Sequence, residues 1–557
     1  MIDPPIFFLK MRLANYYVTG GFVYVSLISN YAAATSVQSD HYGLSKDAAQ
    51  RNGPRIFNTV HDAMRQWGSS VHHNGMSFML ATAPEGALFY HGGGSPKPPA
   101  QPDWLAYEIE HAAGFARGGP PPVRPPDGDR QFPIQPYESD SRGTMRAQDE
   151  KIGVQVRANT GWFHVYRATR PLRYLYIDGM SAGKTYMGTL DTQDRLLRGL
   201  RESSPEFLAP NEAFNAPGST DEQARAADLC KLCSGWHLDG VIRMEAGFEV
   251  IHCNFSNGLE QIQLMQSPPV IAASAEEDEL AFYLFEFVRG LSERYQGVGT
   301  SRTVLDFSSL VSAFFFPVNL TNSDPKRPDL PRLVSASGPE LEAIKKKLTD
   351  VIRERRGLAS SGPHVDWQGV SDLIVGRYAD RLQYMAEKVL DLGTMKREIR
   401  FLLTIFIDFS SRPLDLRAAN KRCTSLYLQA KAIKTDSDDL IRTAFETVTS
   451  KICSSLFDIR EIIEEDQRGQ SDVLERIQEI LRDLIDWLGW ARFKRCPPCG
   501  LDEVCMIPMW PIGSVDDYVS PRCINSTTGE SGESYWGPRF RSENDPGKDS
   551  IGDIDEL

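Results

Sequence analysis

The segment Asp178-Gly-Met-Ser-Ala-Gly-Lys-Thr185 follows an apolar, strand-like run at 172–177. Two chemistries could use it. A phosphate-binding loop needs four residues between its glycines, but Gly179 and Gly183 have three between them. The shorter loop cannot present the same cradle of backbone N–H groups. The same residues also spell Gly-x-Ser-x-Gly, the turn that exposes a hydrolase nucleophile. Ser181 would then need an acid and a base later in the chain. His237, His252 and His364 are the later histidines, with Asp228 and Asp239 as acids. A glycine turn between a strand and the next element explains the same residues without chemistry. His72 and His73 are adjacent and point different ways in any regular element. No H-x-x-x-H or H-E-x-x-H occurs, so no metal set is expected. Cys230-Lys-Leu-Cys233 has redox spacing but no βαβ context, and a structural disulfide is expected there.

Four further segments have weight through their order. They are Leu88-Phe-Tyr-His-Gly92, then Trp104 to Ala116 with Trp104 and Phe115, then strand-like runs at 163–168 and 172–177, and finally Phe248-Glu-Val-Ile-His-Cys253. This order resembles the ADP-ribosyltransferase superfamily, particularly its His-Tyr-Glu branch, over residues 78–264. The resemblance implies a mixed-sheet domain that cleaves NAD and either transfers ADP-ribose to a protein acceptor or hydrolyses NAD. By it, Glu249 would bind the nicotinamide ribose and stabilise an oxocarbenium-like state. His91 would hold the ribose and amide, Phe115 would stack on nicotinamide, and Trp104 would close the pocket. Here Trp and Phe stand where the branch has two tyrosines, and Glu245 is a rival carboxylate. NAD enters as a substrate; no resident cofactor and no metal are implied. The alternative is a non-catalytic secreted or cell-surface protein with a degenerate form of that fold, in which Glu249 is a strand-end residue, His91 a turn residue and Phe115 core. The readings differ in one requirement: His91, Phe115 and Glu249 must converge on one cleft.

A wider likeness is to uncharacterised secreted proteins of filamentous fungi. It rests on Arg65-Gln-Trp-Gly-Ser-Ser70, His73-Asn-Gly-Met-Ser-Phe78, residues 175–185 and Cys505-Met-Ile-Pro-Met-Trp-Pro511, and it carries no activity.

These residues need elements to position them. Residues 51–270 mix short apolar runs with Gly/Pro breaks at 92–102 and 118–136. Strands are predicted at 78–80, 87–90, 163–168, 172–177 and 248–253, and helices at 58–67, 110–116 and 193–202. That is an α+β pattern without regular strand–helix alternation. Residues 276–495 read as an all-α helical bundle. Ser337-Gly-Pro-Glu340 opens one helix with a capping spacing, followed by Leu341, Ile344, Leu348 and Val351 on one face. Ser471-Asp472 opens another, and 370–389, 395–409 and 440–463 look alike. A Cys-rich module at 496–525 and a disordered tail at 526–557 complete the expected order.

Composition fits a globular protein of two or three domains: 557 residues, 41% hydrophobic and 24% charged. A net charge of −13 without a basic tract argues against nucleic acid as partner. Lys10 and Arg12 precede an uncharged stretch whose Ala32-Ala33-Ala34 offers a cleavage site, so 1–34 reads as a signal peptide. The rival is a signal anchor; its polar residues dilute the apolar stretch that a span requires. After cleavage no membrane span is expected, and the protein would be secreted or reside in the secretory pathway. Cys496, Cys499, Cys505 and Cys523 are expected to form two disulfides rather than a zinc site, because their spacing is C-x2-C-x5-C-x17-C. Nine cysteines leave at least one thiol over. Asn254, Asn319 and Asn525 head glycosylation sequons. The terminal Ile554-Asp555-Glu556-Leu557 lacks the first residue of a retention signal.

Overall fold

The computed structural model describes residues 42–116, 161–185, 187–200, 222–267, 277–299, 302–325, 327–356, 365–410, 412–429, 433–465, 471–527 and 534–536. The expected signal peptide at 1–34 and the Pro/Gly-rich 118–136 lie outside them.

Three short helices lead in: α1 (Lys46–Arg51), α2 (Gly53–Asp62) and α3 (Gln66–Val71). Ser45 caps α1 by accepting from the Ala48 N–H at 3.1 Å. Pro54 stands in the first turn of α2, where its missing N–H costs nothing. One curled sheet follows. Its strands are β1 (Ser77–Ala83), β2 (Leu88–Gly93), β3 (Asp103–Ala106), β4 (Trp162–Ala168), β5 (Leu172–Ile177), β6 (Gly240–Met244), β7 (Phe248–His252), β8 (Leu259–Gln266) and β9 (Val304–Ser312). Their order is β8-β4-β2-β3-β7-β6-β5-β1-β9, with β5 and β6 parallel and the other pairs antiparallel. Helix α4 (Ile109–Phe115) packs on one face through Ala112 and Ala116 against Ala106, Phe163 and Val165. Helices α5 (Glu222–Trp236) and α6 (Glu277–Ser292) complete this part.

The remaining helices are α7 (Gly338–Glu354), α8 (Trp367–Glu387), α9 (Leu392–Leu403), α10 (Leu416–Ser425), α11 (Asp436–Glu465) and α12 (Ser471–Leu488). The expected capping box opens α7, with the Ser337 N–H donating to Glu340 at 2.7 Å. Its predicted stripe of Leu341, Ile344, Leu348 and Val351 is buried. The end of the described chain holds β10 (Val504–Met506), α13 (Val515–Val519) and β11 (Arg522–Ile524), with β10 pairing β11.

Several expectations change. The predicted helix at 58–67 is two helices, because Met64 turns the chain at a left-handed φ of 55°. The predicted helix at 193–202 is a π-helical turn at Thr192–Leu197. Strands β3, β6, β8 and β9 were not predicted as strands. The boundary near 270 does not divide the core. Strand β9 lies inside the expected helical half, yet it pairs with β1 as an edge of the sheet. One apolar core runs from Ala49 to Trp536. Phe57 of α2 meets Phe445 of α11 at 4.6 Å and Trp490 at 5.7 Å between ring centroids. The expected disordered tail also gives way at 534–536. Trp536 is 2% exposed and donates its indole N–H to Ile512 at 3.1 Å.

Four disulfides form: Cys230–Cys253, Cys423–Cys453, Cys496–Cys505 and Cys499–Cys523. The Cys-rich module holds its two expected bridges. The expected Cys230–Cys233 bridge is corrected. Both residues lie in α5, and Cys230 instead reaches Cys253, just past β7, leaving Cys233 as a buried thiol. Among the described residues no helix is long and apolar enough to cross a membrane.

Candidate functional site

The residues named for NAD do not share a cleft. Cross-strand partners lie on one face of a sheet, and successive residues alternate. Tyr90 pairs with Ala106, and Ala106 with Glu249, so Tyr90 and Glu249 point the same way. His91, one residue on, points the other way. There its ring packs against His164 at 5.3 Å and Phe255 at 5.7 Å. Its Nδ1 lies 2.8 Å from the backbone oxygen of Trp104. Phe115 is 60% exposed at the end of α4, with its ring 5.8 Å from that of His111. Trp104 pairs with Ile251, two residues from Glu249, and so shares the face of Glu249 rather than that of His91. The pocket required by the resemblance, with His91 and Glu249 on one substrate, is therefore not assembled.

Glu249 is instead part of a buried ionic network. Its cross-strand partner is Arg243, whose Nε donates to Glu249 Oε1 at 2.5 Å. Arg243 is fully buried and also reaches Glu222 and Gln193. Glu222 passes the chain of charges to Arg225, which binds Asp194 at 2.9 Å and 3.1 Å. The rival carboxylate Glu245 pairs with Lys184. Paired, hydrogen-bonded burial of this kind is what keeps such charges tolerable. Ser181 is fully buried and donates to the carbonyl of Ile177 at 3.0 Å. A serine turned into its own strand end is not an exposed nucleophile, so the glycine-turn reading holds there.

The arrangement best suited to chemistry lies elsewhere, in a cleft of about 590 Å³ between α2, α3, the end of β5, α12 and the chain near Lys494 and Tyr518. Asp62, the last residue of α2, and His72, just past α3, both line it. The Met64 turn folds α3 back on α2, and Gly68 lets the two meet: a Cβ there would fall 2.3 Å from Asp62 Cγ. His72 Nδ1 lies 2.7 Å from Asp62 Oδ2, and His61 Nδ1 lies 2.7 Å from Oδ1. Burial disfavours the charge on Asp62, but the hydrogen bonds from both imidazoles outweigh it and hold the carboxyl well below the usual carboxylate range.

An ionised Asp62 only accepts, so His72 donates Nδ1–H to it. The other ring nitrogen faces Asn58, whose Nδ2 lies 3.4 Å away and donates to the backbone oxygen of Leu488 at 3.0 Å. Because Nδ2 can only donate, His72 Nε2 presents its lone pair. That is the tautomer of a general base held by a carboxylate. Across the same cleft, Asp178 caps the end of β5. Burial pushes its carboxyl up to about 7, against the hydrogen bonds it accepts from the Ser77 N–H at 2.7 Å and the Thr59 hydroxyl at 3.2 Å. A carboxyl titrating near neutrality can carry a proton for general-acid work. Apolar Leu330, Ile485, Trp487 and Phe493 line the cleft with cationic Arg55 and Lys494.

Sequence reasoning missed this site. It weighed His72 and His73 only as metal ligands. The two do point apart: His73 is fully buried and packs edge-on against Trp536 at 5.3 Å. The usable signal was a histidine ten residues after an aspartate, across a helix–turn–helix, and that spacing alone is common.

Residues 39–274 match the model of a family described as the YPL277C N-terminal domain. The chain is 26% identical over 550 residues to the uncharacterized protein YOR389W of Saccharomyces cerevisiae, a match covering 85% of this chain and 84% of that protein. It is 31% identical over 245 residues to the uncharacterized protein YPL277C of the same yeast, covering 42% of this chain and 47% of that protein. No solved structure matches. Asp62, His72 and Asp178 all fall inside the matched domain. Along most of its length, therefore, this chain is similar to an uncharacterised group of fungal proteins.

Proposed function

We propose that this chain is a hydrolase of the secretory pathway, with His72 as the general base. The observation that carries the reading is the Asp62–His72 pair, with Nδ1 held at 2.7 Å and the ring lining a cleft of about 590 Å³. His72 Nε2 takes a proton from a water, Asp62 stabilises the imidazolium that forms, and protonated Asp178 delivers a proton to the leaving group. The cleft's apolar wall takes the body of the substrate, and its charged lining is mixed, with Arg55 and Lys494 beside Asp329, Glu387 and Asp486. The four disulfides support passage through an oxidising compartment, as does the signal-like start of the chain. The sequon residues Asn254 and Asn319 are exposed and available for glycosylation.

The test is turnover of p-nitrophenyl acetate, phosphate and glucoside by residues 35–557, beside His72→Asn and Asp62→Asn. Loss of about 100-fold in His72→Asn, the usual scale of a general base, and a smaller but clear loss in Asp62→Asn support the reading. Equal rates in wild type and His72→Asn reject it.

A further inference from the structure

On the face of the sheet opposite His91, the hairpin between β6 and β7 brings Glu245 and Glu249 against α4. Beside them Glu108 is 1% exposed, and neither of its carboxylate oxygens has a hydrogen-bond partner among the described residues. His111, one turn along, is 2% exposed, and its Nδ1 also lacks one. Glu108 Oε2 lies 3.8 Å from that nitrogen, too far for a hydrogen bond. An orphaned buried carboxylate is costly unless a cation compensates it. Lys184 and Arg243 occupy Glu245 and Glu249 from outside the cluster. Beside Glu108 stands the imidazole of His111 at 3.8 Å, and among the described residues no cation is in hydrogen-bond contact with it. The site is also shaped: a Cβ at Gly247 would sit 2.7 Å from Glu108 Oε2 and 3.0 Å from His111 Nδ1. One oxygen each of Glu245 and Glu249 and a ring nitrogen of His111 lie within 4.8 Å of one another, a spread that ligands on a single ion can close.

We propose that His111, Glu245 and Glu249 bind one first-row divalent metal ion, with Glu108, beside His111, drawn in as the fourth ligand. Carboxylates with a single imidazole suit Zn²⁺ or Mn²⁺, and the absence of thiolate among these four argues against Cu(I). Lys184 and Arg243 then serve as outer partners that orient two of the ligands. The site stands apart from the His72 cleft and does not depend on that reading.

The full secreted chain, stripped with chelator, is titrated with Zn²⁺ by calorimetry, and the zinc-loaded protein is measured by X-ray absorption. One equivalent bound, with a nitrogen/oxygen shell and no sulfur, is expected. Affinity should fall at least tenfold in Glu108→Gln and persist in His72→Asn. Absence of stoichiometric binding, sulfur in the shell, unchanged affinity in Glu108→Gln, or loss in His72→Asn instead would each overturn the proposal. Should Glu108→Gln fail to fold, the wild-type stoichiometry and shell still decide between these outcomes.

Discussion

Asp62 and Asp178 line one cleft, yet their titrations pull stability in opposite directions. Asp62 is held below its unfolded value, so its contribution is present above about pH 4 and is lost as pH falls below that. Asp178 is raised to about 7, so its contribution is full below about pH 4 and is lost as pH rises toward 7. Chemical unfolding of Asp178→Asn should therefore show a flatter stability between pH 4 and 7 than wild type. A slope identical to wild type would contradict the buried acid. Gly68→Ala drives a methyl into Asp62. It should cost about 2 kcal/mol or more in denaturant unfolding, within the range of overpacking, and remove His72-dependent turnover. At this scale little of the site was legible. The sequence shows which residue types exist, but Asp62 and His72 meet only because Met64 adopts a left-handed turn and Gly68 has no side chain. No local pattern encodes that pairing.

Among elements, those set by local periodicity and caps were the legible ones. Helices α7, α8, α11 and α12 and the Ser337 cap follow from stripes and spacing, α9 stops at Leu403 short of the expected 409, α10 was not foreseen, and β5 keeps its predicted bounds at Leu172–Ile177. What local pattern could not give was pairing. Strand β8 is exposed along most of its length and carries no buried alternation. Strand β9 sits between two helical stretches and becomes a strand by joining β1. The Cys230–Cys253 bridge depends on α5 lying beside the end of β7, which the spacing Cys230-Lys-Leu-Cys233 does not reveal. Peptide mapping under non-reducing conditions should recover Cys230–Cys253. Cys233, whose thiol burial pushes up to about 12, should resist alkylation until the protein is unfolded. Recovery of a Cys230–Cys233 peptide would contradict the structure.

Over the whole molecule, the sheet and the helices share one core, and single residues stitch them together. Asp438 of α11 is fully buried and accepts from the Ser308 hydroxyl of β9 at 2.9 Å and the Trp367 indole of α8 at 2.8 Å. Asp438→Ala leaves both donors unpaired and should cost about 3 kcal/mol. A chain ending at residue 275 would strip β9 from β1 and bare the apolar face of α2, so it should aggregate or show rapid proteolysis, whereas the full chain unfolds in one transition. Independent folding of residues 35–275 would contradict the shared core. The α+β class was legible from the mixture of runs. The single core was not, because its contacts join residues hundreds of positions apart.

The account turns on the protonation of one ring. Nitrogen-15 NMR of the histidines, with His72 assigned by comparison with His72→Asn, reads it without a substrate. In the neutral imidazole of His72, Nδ1 is expected to carry the proton, held by Asp62, and Nε2 the lone pair. Protonation at Nε2 instead would contradict the general-base geometry.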